Sequence, residues 1–509
     1  MAPTDVNRWQ RLAPMALLFL IINGGIKFVR ENLFLFAGAG AGFAFVEQLG
    51  LREFVLGGAG LLLIAVLVAL IHYRRFRFRI EGDAMRVRSG LIEKKDKRVR
   101  FARVQNVALS QPIYFRPFGL VRFSLETPGA ESTEVELPGI SRELALALRD
   151  RIALAGSEAV EVSDAAESAP PADSEPAPTS AAASGVAVHA PGVLRVFGHG
   201  LVSNQVWLIA GVAAWLFGSL EERVEGWIES TGISVIWQQL LDAGVAGVLA
   251  LLVMLVVGLF TLSGLLSLIR FHGFQLHEHA DRFVAGSGLL DRREKTLRRC
   301  KLTGISLHQT AAGRLLGLAY IVGRQATSSQ NEIDPRGRNF LIPGLGKTDI
   351  GLTDRLMPGL SLPQTFRPIS SRFRAVWWSR TSAVALAVTG VAWWHQPSMR
   401  LYLAGGLIVL LVVLWLIHRR WRCWGWRCDG GVCWIRQGLF GLRHDGFELA
   451  MVQQAAVVST PYQRRHGLAS IKLVLPHGHL ELPFVDAQAA ADLVNRAIHA
   501  AETASIHRV

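Results

Sequence analysis

A few places in the chain carry residue types that could do chemistry. Gly346-Lys347-Thr348 has the ending of a phosphate-binding loop, which cradles phosphates on backbone N–H groups and a lysine. That loop needs a second glycine five residues earlier, where Leu341 stands, and a long helix behind it. Nucleotide binding is therefore not expected. His277-x-His279 and His477-x-His479 each set two imidazoles on one face of a strand, as in some metal sites. A metal needs further ligands, and no third residue is spaced to join either pair. Both read as partly exposed strand histidines, and no metal is expected. Ser287 sits between Gly286 and Gly288, but Ala285 and Leu289 stand where a nucleophile elbow needs glycine. Cys300, Cys423, Cys428 and Cys433 contain no Cys-x-x-Cys pair and read as reduced thiols in a cytosolic setting. No acid, base or nucleophile is assembled, so neither an enzyme nor a cofactor is expected.

The densest charged feature is basic. Arg74, Arg75, Arg77, Arg79, Arg86, Arg88, Lys94, Lys95, Lys97, Arg98, Arg100 and Arg103 directly follow an apolar run. Arg292, Arg293, Lys295, Arg298, Arg299 and Lys301 repeat the theme. Such residues beside a membrane gain roughly 1 kcal/mol each from an anionic leaflet. The candidate lipid-headgroup contacts are Arg77, Arg79, Arg88, Lys94, Lys95, Lys97, Arg98, Arg292, Arg293 and Lys295. The competing explanation is a charge run that sets membrane topology and coats a solvated sheet face. Nucleic acid is not expected, because no stacking aromatics are interleaved with the charge.

The elements that must position these residues follow from composition. Of 509 residues 50% are hydrophobic and only 18% charged, with a net charge of +14. The mean hydropathy is +0.31. A soluble domain carries about 25% charge, so a single soluble enzyme and a disordered chain are both disfavoured. Phe54 to Ile71, Gly244 to Ile269 and Leu401 to Ile417 are apolar runs long enough to cross a bilayer, each ending in Arg. Weaker apolar segments precede them: Leu12 to Phe28 with Leu33 to Val46, Val202 to Leu220, and Thr381 to Trp394. About six crossings in three hairpins are expected, with Trp377, Trp378, Trp393 and Trp394 as interfacial belts. Arg after the helices, against Glu31, Glu47, Glu53, Glu221, Glu222, Glu225 and Glu229 between them, places both termini in the cytoplasm. The start of the chain reads as a retained anchor. Lys27 reads as snorkelling to the interface, and the helices hold no carboxylate pair for a proton relay.

A repeat follows each long run. Phe76 to Leu91, Val104 to Val107 and Phe118 to Leu120 recur, without a gap, 198 residues later at Phe274 to Leu289, Leu302 to Ile305 and Leu316 to Leu318. An offset of 348 finds Trp424 to Leu439, Gln453-Gln454 and Gly467-Leu468. Alternation of Phe76, Phe78 and Ile80 with Arg75, Arg77 and Arg79 predicts half-buried strands. Gly90, Gly288 and Gly438 fall where a turn needs positive φ. Leu137-Pro138, Ile342-Pro343 and Leu482-Pro483 mark later strand ends. Ser141 and Asp486 stand as N-caps of closing helices to Leu154 and about Ala501, whereas the second repeat offers only Thr353 to Met357 before Pro358. Gly156 to Pro191 is rich in Pro, Ala, Ser and carboxylates and reads as a disordered linker.

Strands closed by a helix after a membrane hairpin resemble the bacterial pleckstrin-homology-like membrane proteins, and three such sets resemble their YdbT-type branch. The residues carrying this are Ser89-Gly90-Leu91, Arg103 to Val107, Phe118-Gly119-Leu120 and Leu137-Pro138-Gly139. The third repeat departs most, at Gln453-Gln454-Ala455 and His466-Gly467-Leu468. The resemblance implies a membrane α plus β fold: hairpins at 1–73, 193–270 and 366–418, PH-like modules at 74–154, 271–365 and 419–509, and a linker at 155–192. The modules are expected as partly open β-barrels, with closing helices in the first and third. The expected function is a non-enzymatic scaffold or sensor of the bacterial inner membrane, with cytoplasmic modules facing anionic lipid. The resemblance further implies a smaller single-module PH-like membrane partner and a role in envelope protection. The competing class is a lipid-handling or transport protein whose modules gate the helices.

Overall fold

The computed structural model describes residues 9–21, 60, 63, 66–90, 95–101, 104, 106–126, 135–152, 185–203, 210–211, 243–326, 339–395 and 400–506. The expected inner loops of the first two hairpins, Lys27, the linker up to 184 and the late loop of the second repeat lie outside these residues. The chain divides into two compact units. One holds 1–182 with 284–286 and 290–297, and the other holds 183–283, 287–289 and 298–509.

In the first unit, helical residues 66–75 run directly into a sheet of β1 (Arg77–Glu81), β2 (Ala84–Ser89) and β3 (Lys95–Arg100). β4 (Asn106–Pro112), β5 (Leu120–Glu126) and β6 (Val135–Ser141) form a second meander. Residues 291–297 of β10 (Asp291–Arg298) add to its β4 edge. Phe78, Ile80, Met85, Val99, Phe123, Leu125 and Leu137 meet in one core with Leu148 and Ile152 of the helical residues 142–152. The Ser141 hydroxyl accepts from the Leu144 N–H, capping that helix as expected.

In the second unit, β7 (Val186–His189) pairs with β8 (Gln275–Glu278); the chain then forms β9 (Arg282–Ser287), whose residues 284–286 belong to the first unit. A seven-stranded sheet then runs in the order β13-β12-β11-β17-β16-β15-β14. These are β11 (Gly304–Gln309), β12 (Ala319–Arg324), β13 (Phe340–Leu345), β14 (Arg367–Pro368), β15 (Gly425–Asp429), β16 (Val432–Gly438) and β17 (Leu442–Glu448). Strands from the second and third repeats thus share one ladder, joined where β11 meets β17. β18 (Gln454–Val458), β19 (Leu468–Leu475) and β20 (Gly478–Asp486) form a separate meander. The closing helix Ala487–Ile506 starts at Asp486, whose carboxylate accepts from the Gln488 and Ala489 N–H groups. The second repeat has only the short helix Leu352–Leu356. There Val202, at the end of the helix Val193–Val202, packs on Tyr320 and Val322 instead.

One detail recurs three times. The pairing of β5 with β6, β12 with β13 and β19 with β20 shifts register at Val121, Ala319 and Ala469, so that Pro138-Gly139, Pro343-Gly344 and Pro483-Phe484 are bulged. A bulge of this kind needs a left-handed residue, and Gly139 and Gly344 have φ of +78° and +66°. In the third repeat Phe484 takes that conformation, at φ +53°. Each bulge receives a segment from earlier in the chain. Ala13 N–H donates to the Gly139 carbonyl, Ser370 N–H donates to the Phe484 carbonyl, and the His189 ring bonds the Pro343 carbonyl at 3.0 Å. Gly90 and Gly288, at φ +122° and +116°, are turn residues as the repeat predicts. At Gly438 a Cβ would fall 2.0 Å from the Gly441 carbonyl oxygen.

Several expectations are corrected. Among the described residues one helix, Val245–Phe271, meets the length and apolarity of a crossing, so six crossings are not confirmed. At 1.5 Å per residue its 27 residues reach roughly 40 Å, beyond the ~30 Å hydrocarbon core. Arg372–His395 and Arg400–Cys423 are packed 24-residue helices, with the Trp378 indole donating to the Leu414 carbonyl. Leu12, Ala16 and Phe19, read as the start of a crossing, are buried in the first unit. Their spacing of three to four residues is the same for a core-facing helix as for a span. Val186–His189, read as the end of the linker, is strand β7, because its β-branched valines find the open edge of β8. Cys428 and Cys433, read as thiols, form a disulfide: the Gly430-Gly431 turn sets them directly opposite on β15 and β16. His477 lies in the turn between β19 and β20 rather than on a strand face, while His479 is exposed on β20.

Candidate functional site

The basic residues of the first repeat gather on one face of β1-β2-β3, because directly opposed residues share a side. The register sets Arg77 opposite Arg88 and Arg88 opposite Asp96. The next row is Arg79, Arg86 and Arg98, and the third is Glu81, Ala84 and Arg100. Six arginines therefore crowd a small grid with two carboxylates. Like charges directly opposite destabilise a sheet, and the carboxylates sit where they relieve this. Asp96 takes two bonds from Arg86, both 2.8 Å, and one of 3.0 Å from Arg88. Glu81 pairs with Arg79 and lies 3.7 Å from Arg98. The Arg86 hydrogen bond, with Arg88, pulls Asp96 down to about 2. The Arg79 bond likewise holds Glu81 below the usual carboxylate range. The Trp9 ring covers Arg88 and Arg79, with guanidinium carbons 4.5 and 5.0 Å from its centroid. Arg77, Arg88, Arg98 and Arg100 are exposed.

The structure brings together Arg77, Arg79, Arg88 and Arg98 of the sequence candidates. Lys97 pairs with Val87 and so lies on the opposite side, exposed near the sheet edge. Lys95 stands opposite Ser89 in the register, and Lys94 lies outside the described residues. Arg292, Arg293 and Lys295 are on β10. There Arg293 pairs with Asp291 at 2.8 Å, Lys295 shares its side, and Arg292 faces the other way. Glu294 takes a 2.5 Å bond from Arg149 of the closing helix.

A second polar cluster, which the sequence did not single out, is buried in the second unit. The Ser306 hydroxyl on β11 donates to Asp445 on β17 at 2.6 Å, and Arg324 on β12 donates to Ser306 at 2.9 Å. Arg443 and Gln437 also donate to Asp445, at 2.9 and 3.3 Å. Burial pushes the Asp445 carboxyl up, but Arg443, Ser306 and His308 outweigh it and hold the group low. His308 stacks on Tyr320 with centroids 5.0 Å apart. Burial pushes His444 and His477 each down to about 4, so both are neutral near pH 7. Thr303 bonds the His477 Nδ1 at 2.9 Å. The repeat held one signal for this site: the position of Lys97 and Lys295 is Asp445 in the third copy.

Neither cluster assembles catalysis. No group of three metal-ligating side chains occurs among the described residues. In the phosphate-loop-like stretch the Asp349 carboxylate accepts from Gly346 N–H at 3.0 Å, which fills the place an anion would take. A shallow cleft of about 390 Å³ lies among Ser361, Thr365, Arg427, Asp429 and Trp434. Arg427 there is tied to Asp429 at 2.5 Å and to the Thr365 hydroxyl at 2.6 Å.

The model of the bacterial PH domain family matches three stretches, residues 34–155, 231–347 and 382–501. The UPF0699 transmembrane protein YdbT of Bacillus subtilis (strain 168) is 22% identical over 337 residues. The match covers 64% of this chain and 66% of that protein, just under two thirds of its length. No solved structure matches.

Proposed function

The chain belongs to the bacterial PH domain family, and from that premise we propose that it is a non-enzymatic, multi-pass scaffold or sensor of the bacterial inner membrane. Its PH-like modules lie in the cytoplasm, bounded as the repeat suggests at 74–154, 271–365 and 419–509, and the first docks on anionic lipid. The arginine grid on β1-β2-β3 carries this reading. It begins at Arg77, directly after helical residues 66–75, so its charges sit within a turn or two of the membrane. Exposed arginines there gain from a negative leaflet, while Asp96 and Glu81 hold the grid together when no lipid is bound. The exposed apolar side chains of Val245–Phe271, such as Val253 and Met254, support a lipid-facing helix. Those of Val384, Leu386, Ile408 and Leu411 favour a third hairpin. A smaller single-module PH-like membrane protein is the proposed partner.

The test is purification of the full chain in mild detergent after crosslinking, with lipid and protein quantified together. Co-purifying anionic phospholipid is expected to fall several-fold in an Arg77→Gln/Arg88→Gln variant, while the crosslinked small partner is retained. Unchanged lipid content would leave the grid as topology alone. Absence of any stoichiometric small membrane protein would end the partner proposal.

A further inference from the structure

The connection between the fourth and fifth strands has the same chemistry in all three repeats. It reads Ile113–Phe118 (IYFRPF), Ala311–Leu316 (AAGRLL) and Pro461–Arg465 (PYQRR), each a short helical turn. Arg116, Arg314 and Arg464 occupy one repeat position. Beside them, apolar side chains point away from the protein. Leu315 is 89% exposed and Leu316 52%, Ile113 54% and Phe118 51%, and Tyr462 38%. In the first two turns the exposed apolar side chains lie within three residues of the arginine and have no explanation in the core, while in the third Tyr462, packed edge-on against His466, is the one such residue.

Each turn also contacts a segment at the end of a helix. In the first unit Phe115 packs on Phe19, their rings 6.2 Å apart. In the second unit the Thr310 hydroxyl, which caps the 311–316 turn, donates to the Val202 carbonyl at 2.7 Å. Arg372, in the first turn of the 372–395 helix, meets His466 at 3.2 Å, one residue past the third turn. In the second unit two further loops carry exposed apolar side chains beside long helices. Leu289 N–H donates to the Ile269 carbonyl in the last turns of the 245–271 helix, and Phe440 packs on Trp415, 6.0 Å between centroids. Arg314 reaches the Phe440 carbonyl at 3.5 Å.

We infer that these turns are interfacial anchors: Ile113 and Phe118, Leu315 and Leu316, and Tyr462 enter the acyl boundary of the cytoplasmic leaflet while the adjacent arginine stays at its phosphates. Apolar side chains beside cationic ones are the signature of a segment lying in the membrane interface. In the second unit the 311–316 turn reaches Phe440, which packs on Trp415, and the Leu289 loop abuts the end of the apolar 245–271 helix, which names the bilayer as the occupant. The inference rests on the reading that this helix spans a membrane. It adds to that reading that the modules are held against the bilayer by inserted side chains, not only by a tether and surface charge.

The test uses the full chain in vesicles of phosphatidylcholine with a minor share of phosphatidylglycerol. In a Cys300→Ser background, Leu315→Cys, Val253→Cys and Lys472→Cys are labelled singly with an environment-sensitive fluorophore. Lipids brominated near the glycerol end are expected to quench the Leu315→Cys label several-fold more than the Lys472→Cys label, which aqueous iodide quenches instead. Deeply brominated lipids should quench the Val253→Cys label most. If the 253 label is lipid-quenched and the 315 label behaves like the 472 label, the anchor is overturned and the membrane helix stands. If neither 253 nor 315 meets brominated lipid, the membrane reading itself fails. A 315 label hidden from both quenchers means that a protein covers the turn, which also overturns the inference. Phe118→Cys gives the same readout in the first unit if the 315 variant does not fold.

Discussion

The third strand of the first repeat and the third strand of the last occupy the same place in sequence and live in opposite surroundings. β3 is an edge strand of its described sheet, and its Lys97 and Arg98 are exposed. β17 lies between β16 and β11, and at the Lys97 position it carries buried Asp445. Charge on an edge strand costs little and deters a further strand from adding. Charge on a central strand must be neutralised and fully bonded, as Arg443, Ser306 and Gln437 do for Asp445. One module plan thus yields an arginine grid at an edge and a polar lock at the seam between two repeats.

The contrast is sharpest in a pair of substitutions. Asp445→Ala takes the buried acceptor from Ser306 and from the half-buried Arg443 and should cost about 3–5 kcal/mol. Lys97→Ala should stay within about 0.5 kcal/mol. Thermal unfolding of both variants in detergent measures this, and equal losses would erase the distinction between edge and seam. Acid should attack the same seam. His444 and His477 are held near 4 in the folded chain against 6.5 in the unfolded one. The unfolded chain therefore binds protons first as pH falls. Their contribution is complete above ~6.5, is lost progressively toward ~4, and amounts to roughly 3 kcal/mol for each ring. Unfolding midpoints across that range should fall, and less so in a His444→Gln/His477→Gln variant.

Next comes Gly446 on β17, where a Cβ would meet the Trp434 ring at 2.8 Å. Gly446→Ala should cost about 1–3 kcal/mol by overpacking. Phe484 holds a left-handed backbone that glycine takes freely in the other repeats, and its ring sits 5.6 Å from Phe373. Both Phe484→Ala and Phe484→Gly lose that packing, but only the glycine relieves the backbone. The glycine variant should be the more stable of the two by about 1 kcal/mol in the same melt. The smallest stability effect is expected at the edge. Asp96→Asn should leave the midpoint nearly unchanged, since exposed ion pairs contribute little. The same variant should raise the anionic lipid retained on purification, because it removes one of the two carboxylates facing six arginines.

Much of the module was legible because it is encoded locally. The alternation at Arg75 to Ile80 gave the strand and its two faces, and the caps at Ser141 and Asp486 marked closing helices that begin where expected. The missing helix of the second repeat was visible in Pro358 following so soon after Thr353. The site was only half legible. Arg77, Arg79, Arg88 and Arg98 converge as one face, whereas Lys97 lies on the other, since the side depends on the register of β3 against β2. A shift of one residue would have exchanged them.

By itself, then, the sequence determined the threefold repeat, the period of each strand, the helix caps, the glycines of the turns and the basic charge after the apolar runs. Each of these is a property of neighbouring residues. Tertiary structure decided what lies far apart in the chain: that β11 pairs with β17 and that Leu12 to Phe19 packs into a module core. It also decided that one repeat position is an open edge and its copy a buried seam. The physical reason is that strand pairing and burial are settled by which distant surface covers an element. A charged residue reads the same in sequence whether water or another strand stands beside it.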